Sequence, residues 1–207
     1  MNILKALLLL VMTFTINNVK ANDDNSNENS RTVYGLQYST SFSSGSTVAD
    51  SSVFGALDAK ENTRYGFYML HKINFLKDVH TKVAFSKIVS EEDFFQDEKL
   101  ERFSVDLLLV KRIVPELGLY LGMGATYHIN PVYEYTYDDN TFERVNYDNS
   151  LGYILEIKQI YRFGLEVGFT YTAINYSGTK DSGNANLINL KENIDASNIS
   201  VNFAINF

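Results

Sequence analysis

Three histidines, His71, His80 and His128, are the side chains best suited to acid–base or metal chemistry near neutral pH. They stand apart along the chain. No cysteine accompanies them, which excludes thiolate metal sites, disulfides and thiol nucleophiles. A hydrolytic pair needs a histidine with a serine close by, yet His128 is followed by Ile129 and Asn130. The glycine run GLYLGMGA, residues 118–125, lacks the G-x-G-x-x-G spacing of a nucleotide loop. No catalytic residue, no cofactor and no metal site is therefore expected, and the protein reads as a non-enzyme. What remains is a set of charges: Arg64, Lys72, Lys82, Arg102, Asp106, Arg112, Glu156, Lys158 and Glu166.

Those nine charges share one parity, and the parity belongs to strands. From Arg64 the stretch RYGFYMLHKINF groups Tyr65, Phe67, Met69, Ile73 and Phe75 on one face, opposite Arg64, Gly66, Lys72 and Asn74. The same two-residue period runs through 32–42, 81–89, 102–113, 118–129, 151–158 and 163–172, and it closes the chain in NISVNFAINF, residues 198–207. A helical reading fails, because the apolar positions recur every second residue and are largely β-branched or aromatic. Eight strands follow. The inward glycines Gly118, Gly122 and Gly124 are expected to make room for long side chains opposite them.

Connections alternate in length. Strands two and three, four and five, and six and seven are joined by the short turns LKDVH, VPE and about YRF. The others, 43–63, 90–101, 130–150 and roughly 175–197, read as long loops. Odd-length turns keep facing residues in register, so one apolar face persists through all three hairpins. Both prolines, Pro115 and Pro131, are expected outside the strand centres.

Two architectures can cover the apolar face: a second layer of a soluble protein, or lipid around a barrel. Strands of ten or so residues, short turns at one end and long loops at the other favour the second, an all-β, eight-stranded antiparallel up-and-down transmembrane β-barrel. Its lumen would hold the nine charges as a network of mixed sign. Paired, they plug the barrel; hydrated, they line a narrow pore. Small barrels of this size are generally filled by side chains, which favours the plug.

The N-terminus points the same way. MNILKALLLLVMTFTINNVKA has a basic n-region at Lys5, an apolar run from Ala6 to Ile16, and Val19 and Ala21 placed like a cleavage site. It reads as a secretory signal peptide, residues 1–21, cut after Ala21; its apolar core is too short to span a bilayer. Loss of Lys5 and Lys20 leaves 16 basic against 25 acidic residues, a net charge of −9. Nucleic acid is not an expected partner. Residues 22–31 are polar and aperiodic, a lead-in to a barrel domain over 32–207.

The signal peptide, the eight amphipathic strands, the short turns and a final Phe207 preceded by alternating apolar residues resemble the small outer-membrane β-barrel family, which includes the OmpA transmembrane domain, OmpX, OmpW and the opacity-type proteins. The resemblance covers nearly all of the mature chain and rests on pattern. It implies an integral protein of the Gram-negative outer membrane with both termini in the periplasm. It also implies that the last strand, through Ile199, Val201, Phe203, Ile205 and Phe207, is read by the barrel assembly machinery. No peptidoglycan-binding domain follows Phe207, so cell-wall tethering is not implied. Outer-membrane lipids are the expected surroundings. The tyrosine- and aspartate-rich stretch VYEYTYDDNTFERVNYDN and the acidic stretch SEEDFFQDEKLE, with Phe94 and Phe95, suit contact with an extracellular protein or glycan, or else form a hydrated cover or strand extensions. The expected role is structural and surface-interactive; a narrow channel is the alternative, and a lipid-A-modifying enzyme comes third.

Overall fold

The structure is a computed structural model that describes residues 32–41, 49–50, 62–73, 75–92, 97–136, 142–181, 189–190 and 193–207. The expected signal peptide with its Ala21 cleavage site, the lead-in over 22–31, and Phe42, Phe94 and Phe95 lie outside the described residues. Numbered in chain order, the strands are β1 (Thr32–Ser41), β2 (Ala49–Asp50), β3 (Thr63–Lys72), β4 (Val79–Glu92), β5 (Asp97–Val114), β6 (Leu119–Thr136), β7 (Phe142–Tyr147), β8 (Ser150–Ile160), β9 (Leu165–Ala173), β10 (Asn175–Asp181), β11 (Asn189–Leu190), β12 (Asn193–Asp195) and β13 (Asn198–Asn206).

Eight of these close a ring. Antiparallel pairing runs β1–β3–β4–β5–β6–β8–β9–β13 and returns to β1, with Gly35 opposite Asn206 and Ser41 opposite Ser200 in the closing ladder. Beyond the ladder, Phe207 N donates to Tyr34 O at 2.9 Å and Tyr34 N donates to Phe207 O at 3.3 Å. A closed ladder leaves no strand edge in the ring, which removes the pairing hazard of an open sheet. The three short turns fall near their expected places, although Val79 and His80 of LKDVH already belong to β4. Pro115–Leu117 forms a single 3-10 turn, and Gly118, with φ of 61°, ends it in the left-handed region. Gly118 therefore shapes a turn and does not open space in the lumen. Gly124 does permit close approach: a Cβ there would stand 1.9 Å from Leu107 O on the neighbouring strand.

Three of the expected long loops are largely strand. β4 and β5 continue past residue 90, β6 continues to Thr136, and β7, β10 and β12 extend the walls of β8, β9 and β13. The extensions leave the ring at one level. At this level β6 bulges, with Asn130 and Pro131 both opposite the single residue Arg102 of β5 and Asn130 at φ of 47°. Proline has no N–H to offer a ladder, so a bulge is where it fits inside a strand. Beside it, Asp148 N donates to Ser177 O at 2.7 Å, Ile174 N to Ser197 Oγ at 3.1 Å and Ala196 N to Ile174 O at 3.0 Å, so breaks in three more walls line up with the bulge.

Polarity inverts across that crease. Below it, Phe67, Phe85, Leu107, Leu109, Met123, Leu155 and Phe169 are exposed on the outer face, while the even-numbered residues of β3–β6, β8, β9 and β13 point inward and are mostly polar or small. Above it, Glu134, Arg144, Asp148, Asn175, Ser177, Asn193 and Asp195 are exposed, while Leu100, Tyr133, Val145, Tyr147, Ile174, Tyr176, Ile194 and Ala196 form a buried apolar cluster. One extra residue in β6 accomplishes the change there: His128 points inward below the bulge and Tyr133 points inward above it.

Gly124→Val would force β5 and β6 apart at a backbone contact. The folded band that resists detergent in unboiled gel samples should be lost in this variant, with gel migration before and after boiling as the measurement.

Candidate functional site: a buried ion network

The inward parity of β3, β4, β5, β8 and β9 gathers seven of the nine expected charges in the lumen. Arg64, Lys82, Arg102, Asp106, Glu156, Lys158 and Glu166 are all buried. Lys72 is half-buried at the turn end. Arg112 is also half-buried there, but its guanidinium turns away from the network and donates from Nη2 to Pro115 O at 2.5 Å. Arg112 is the last residue of the regular ladder, opposite Tyr120, and the register shifts between it and Val114.

The lower half of the lumen is organised by Lys158. Its ammonium lies 3.1 Å from Glu156 Oε1 and 2.8 Å from Glu166 Oε2. Lys82 Nζ donates to the other Glu156 oxygen at 2.5 Å. Two cations thus balance two carboxylates in a chain that crosses from β4 to β8 and β9. Tyr68 closes it from β3. Its hydroxyl donates to Glu166 Oε1 at 2.7 Å, Asn206 Nδ2 donates to the same oxygen at 2.9 Å, and Lys82 and Lys158 sit 4.8 and 5.3 Å from the centre of the Tyr68 ring. Gly35 on β1 makes the position possible, since a Cβ there would lie 2.5 Å from the ring.

Higher up, Arg64 pairs with Asp106 and donates to Ser104 Oγ at 2.9 Å, while Thr126 Oγ1 donates to Asp106 Oδ1 at 2.6 Å. Gln37 Nε2 donates to Ser86 Oγ at 2.9 Å beside them. Above this layer Arg102 Nη1 donates to Ser90 Oγ at 3.0 Å and the guanidinium lies 5.9 Å from the Tyr176 ring centre. His128 bonds through Nδ1 to the Tyr176 hydroxyl and is 1% exposed. The alternation ends its strand at residue 129, whereas β6 continues well past His128, and the ring is packed inside the barrel. His71 sits at the opposite end, its Nδ1 2.9 Å from Thr32 Oγ1, and His80 packs edge-on against Tyr120 at 6.0 Å. The structure brings none of the three histidines together.

The apolar cluster caps the charged layers from above. Burial there pushes the Tyr147 phenol above its ordinary range. Sequence reasoning missed this cap, along with Tyr68 and Tyr176 as members of the polar core. Tyr68 sits at inward parity between charges already singled out, which was the available signal. Among the described residues no group of three or more His, Cys, Asp or Glu side chains is placed to hold a metal ion.

Ion pairs filling the inside of a closed eight-stranded barrel, and apolar side chains covering its outside, define the class of the molecule. No protein-family profile matches the chain, and no curated protein matches it. Among solved structures, the chain is similar to Neisserial surface protein A (NspA), at 12% identity and a TM-score of 0.49, over 87% of this chain and 100% of that one. It is also similar to Ail, the attachment invasion locus protein of Yersinia pestis, at 14% identity and a TM-score of 0.46, over 86% of this chain and 97% of that one; one of the two Ail structures holds the heparin analogue sucrose octasulfate.

Lys158→Met leaves the buried Glu166 without its cation and Glu156 with Lys82 alone, and should cost about 3–5 kcal/mol. Adding Glu166→Gln should recover most of that, because Glu156 keeps Lys82. Urea unfolding in detergent micelles, followed by tryptic protection, measures both; equal stability of Lys158→Met and the parent would contradict the network.

Proposed function

We propose that the protein is an integral outer-membrane barrel with a sealed lumen and a structural, surface-interactive role. One observation carries this reading: below the crease the barrel exposes aromatic and aliphatic side chains while it buries seven charges. In water this arrangement is doubly unfavourable. Each large apolar side chain left exposed forgoes roughly 1.5–3 kcal/mol, and soluble monomers rarely expose apolar patches of more than a few hundred Å². In a bilayer the same outer face is solvated by lipid, and every ladder hydrogen bond is satisfied within the ring. The ten-residue β3, at a rise of about 3.3 Å and a tilt of about 40°, spans about 25 Å, the height of an outer-membrane apolar band.

On this reading the short turns and both chain ends face the periplasm. The polar lobe above the crease stands outside the cell, where it is available to an extracellular protein or glycan. Ile199, Phe203 and Phe207 are exposed on the outer face of β13, with Val201 and Ile205 half-buried beside them, which supports the last strand as the segment handed to the assembly machinery. No catalytic step is assigned.

Membrane fractionation, with gel migration compared before and after boiling, tests the membrane assignment: a soluble protein with no heat-dependent shift would overturn it. Deleting Phe207 removes two closing hydrogen bonds and the last aromatic, so the folded, membrane-inserted fraction should fall sharply in cells. In planar bilayers the purified barrel should pass no steady ion current. A steady current would replace the sealed barrel with the channel reading.

A further inference from the structure

The two ends of the barrel differ in charge. Residues 72–78, 111–118 and 161–164, at the turn end, hold five lysines and arginines against Asp78 and Glu116. The described residues of 90–101 and 130–150, at the other end, include eight acidic residues against Lys99 and Arg144. The chain as a whole is acidic, so the basic turn end runs against its composition.

Three of the basic residues have a common setting. Lys77 lies in the β3–β4 turn, Lys111 on the outer face of β5 beside that turn, and Arg162 in the β8–β9 turn. All three are exposed, and among the described residues none of them takes part in an ion pair. Each stands two residues or fewer from an exposed large apolar side chain: Phe75 for Lys77, Ile113 for Lys111 and Phe163 for Arg162, with exposures of 86%, 42% and 63%. A cation above an apolar anchor, repeated on both sides of a closed ring, matches a surface that is hydrocarbon on one side and negatively charged on the other. By contrast, the outward-facing lysines at the opposite end, Lys87 and Lys99, are both tied to Glu101.

We infer that the turn-end rim of the barrel binds anionic phospholipid head groups, with Lys77, Lys111 and Arg162 contacting their phosphates while Phe75, Ile113 and Phe163 sit among the acyl chains. The inference rests on the membrane reading above and adds to it a lipid class and a leaflet. The rim draws phosphodiester lipids to the turn side and fixes which end of the barrel faces them. Exposed cations near an anionic surface contribute about 1 kcal/mol each at low salt, about a fivefold preference per cation, and salt screens it.

The full chain is reconstituted in vesicles of phosphatidylcholine with one-fifth phosphatidylglycerol, extracted gently, and the lipids that stay bound are counted by native mass spectrometry. The bound ratio of phosphatidylglycerol to phosphatidylcholine should exceed the bulk ratio of one to four by about fivefold or more. The enrichment should disappear in K77Q/K111Q/R162Q, survive in the charge-keeping K77R/K111R, survive in K87Q/K99Q at the other end, and fall as salt rises. Should the triple variant fail to fold, R162Q alone must still lower the enrichment several-fold. Bulk-ratio lipid on the parent, or undiminished enrichment in R162Q and the triple variant, overturns the inference. Insertion of the same proteins into pure phosphatidylcholine vesicles, read by the heat-dependent gel shift, tests the membrane reading separately.

Discussion

Closure of the β1–β13 ladder is the constraint on which everything else in the molecule depends. A strand pair joined by main-chain bonds at the two ends of the sequence makes the inside of the ring a space walled all round by paired strands. Once that space exists, a charge that points into it must meet a partner or unfold the wall that carries it, because an uncompensated buried ion costs several kcal/mol. The chain Lys82–Glu156–Lys158–Glu166–Tyr68 answers this demand with side chains from four strands, so the interior pairing in turn holds the strands in register. A one-residue slip of any contributing strand would send its charge to the apolar outside, which makes the ion network a device for specifying one register.

The second organising element is the crease at Asn130–Pro131. Below it the wall is apolar outside and polar inside; above it the order is reversed. Both regimes occupy the same continuous strand β6. The apolar cap that results lies over the polar layers, and Tyr176 joins the two, with its ring packed against Tyr147 and its hydroxyl held by His128.

Much of this was legible in the sequence. Alternation fixes which residues of 64–75, 102–113, 118–129 and 163–172 share a face, odd turns carry the face from strand to strand, and strand length with alternating short and long connections points to the closed ring with its charged interior. Two things were hidden. The stretches 130–150 and 175–197 read as loops because Asn, Asp, Tyr and Ser dominate them, and a bulge breaks the phase that would have tied Tyr133 and Val145 to the strand below. Arg112 keeps the parity of the network and still leaves it, since the register shift after it is a property of the turn and not of its own residue type. Periodicity reports facing only as far as the ladder stays regular.

The bulge in β6 also separates two coding frames. Below Asn130 an inserted or deleted residue would turn the wall inside out; above it, the count has already been reset, and the strand obeys an independent phase. The distal lobe can therefore lengthen, shorten or change its surface without re-indexing the eight-stranded ring beneath it. A fold of this kind offers a variable head on an invariant stem, with the border between them written in two residues.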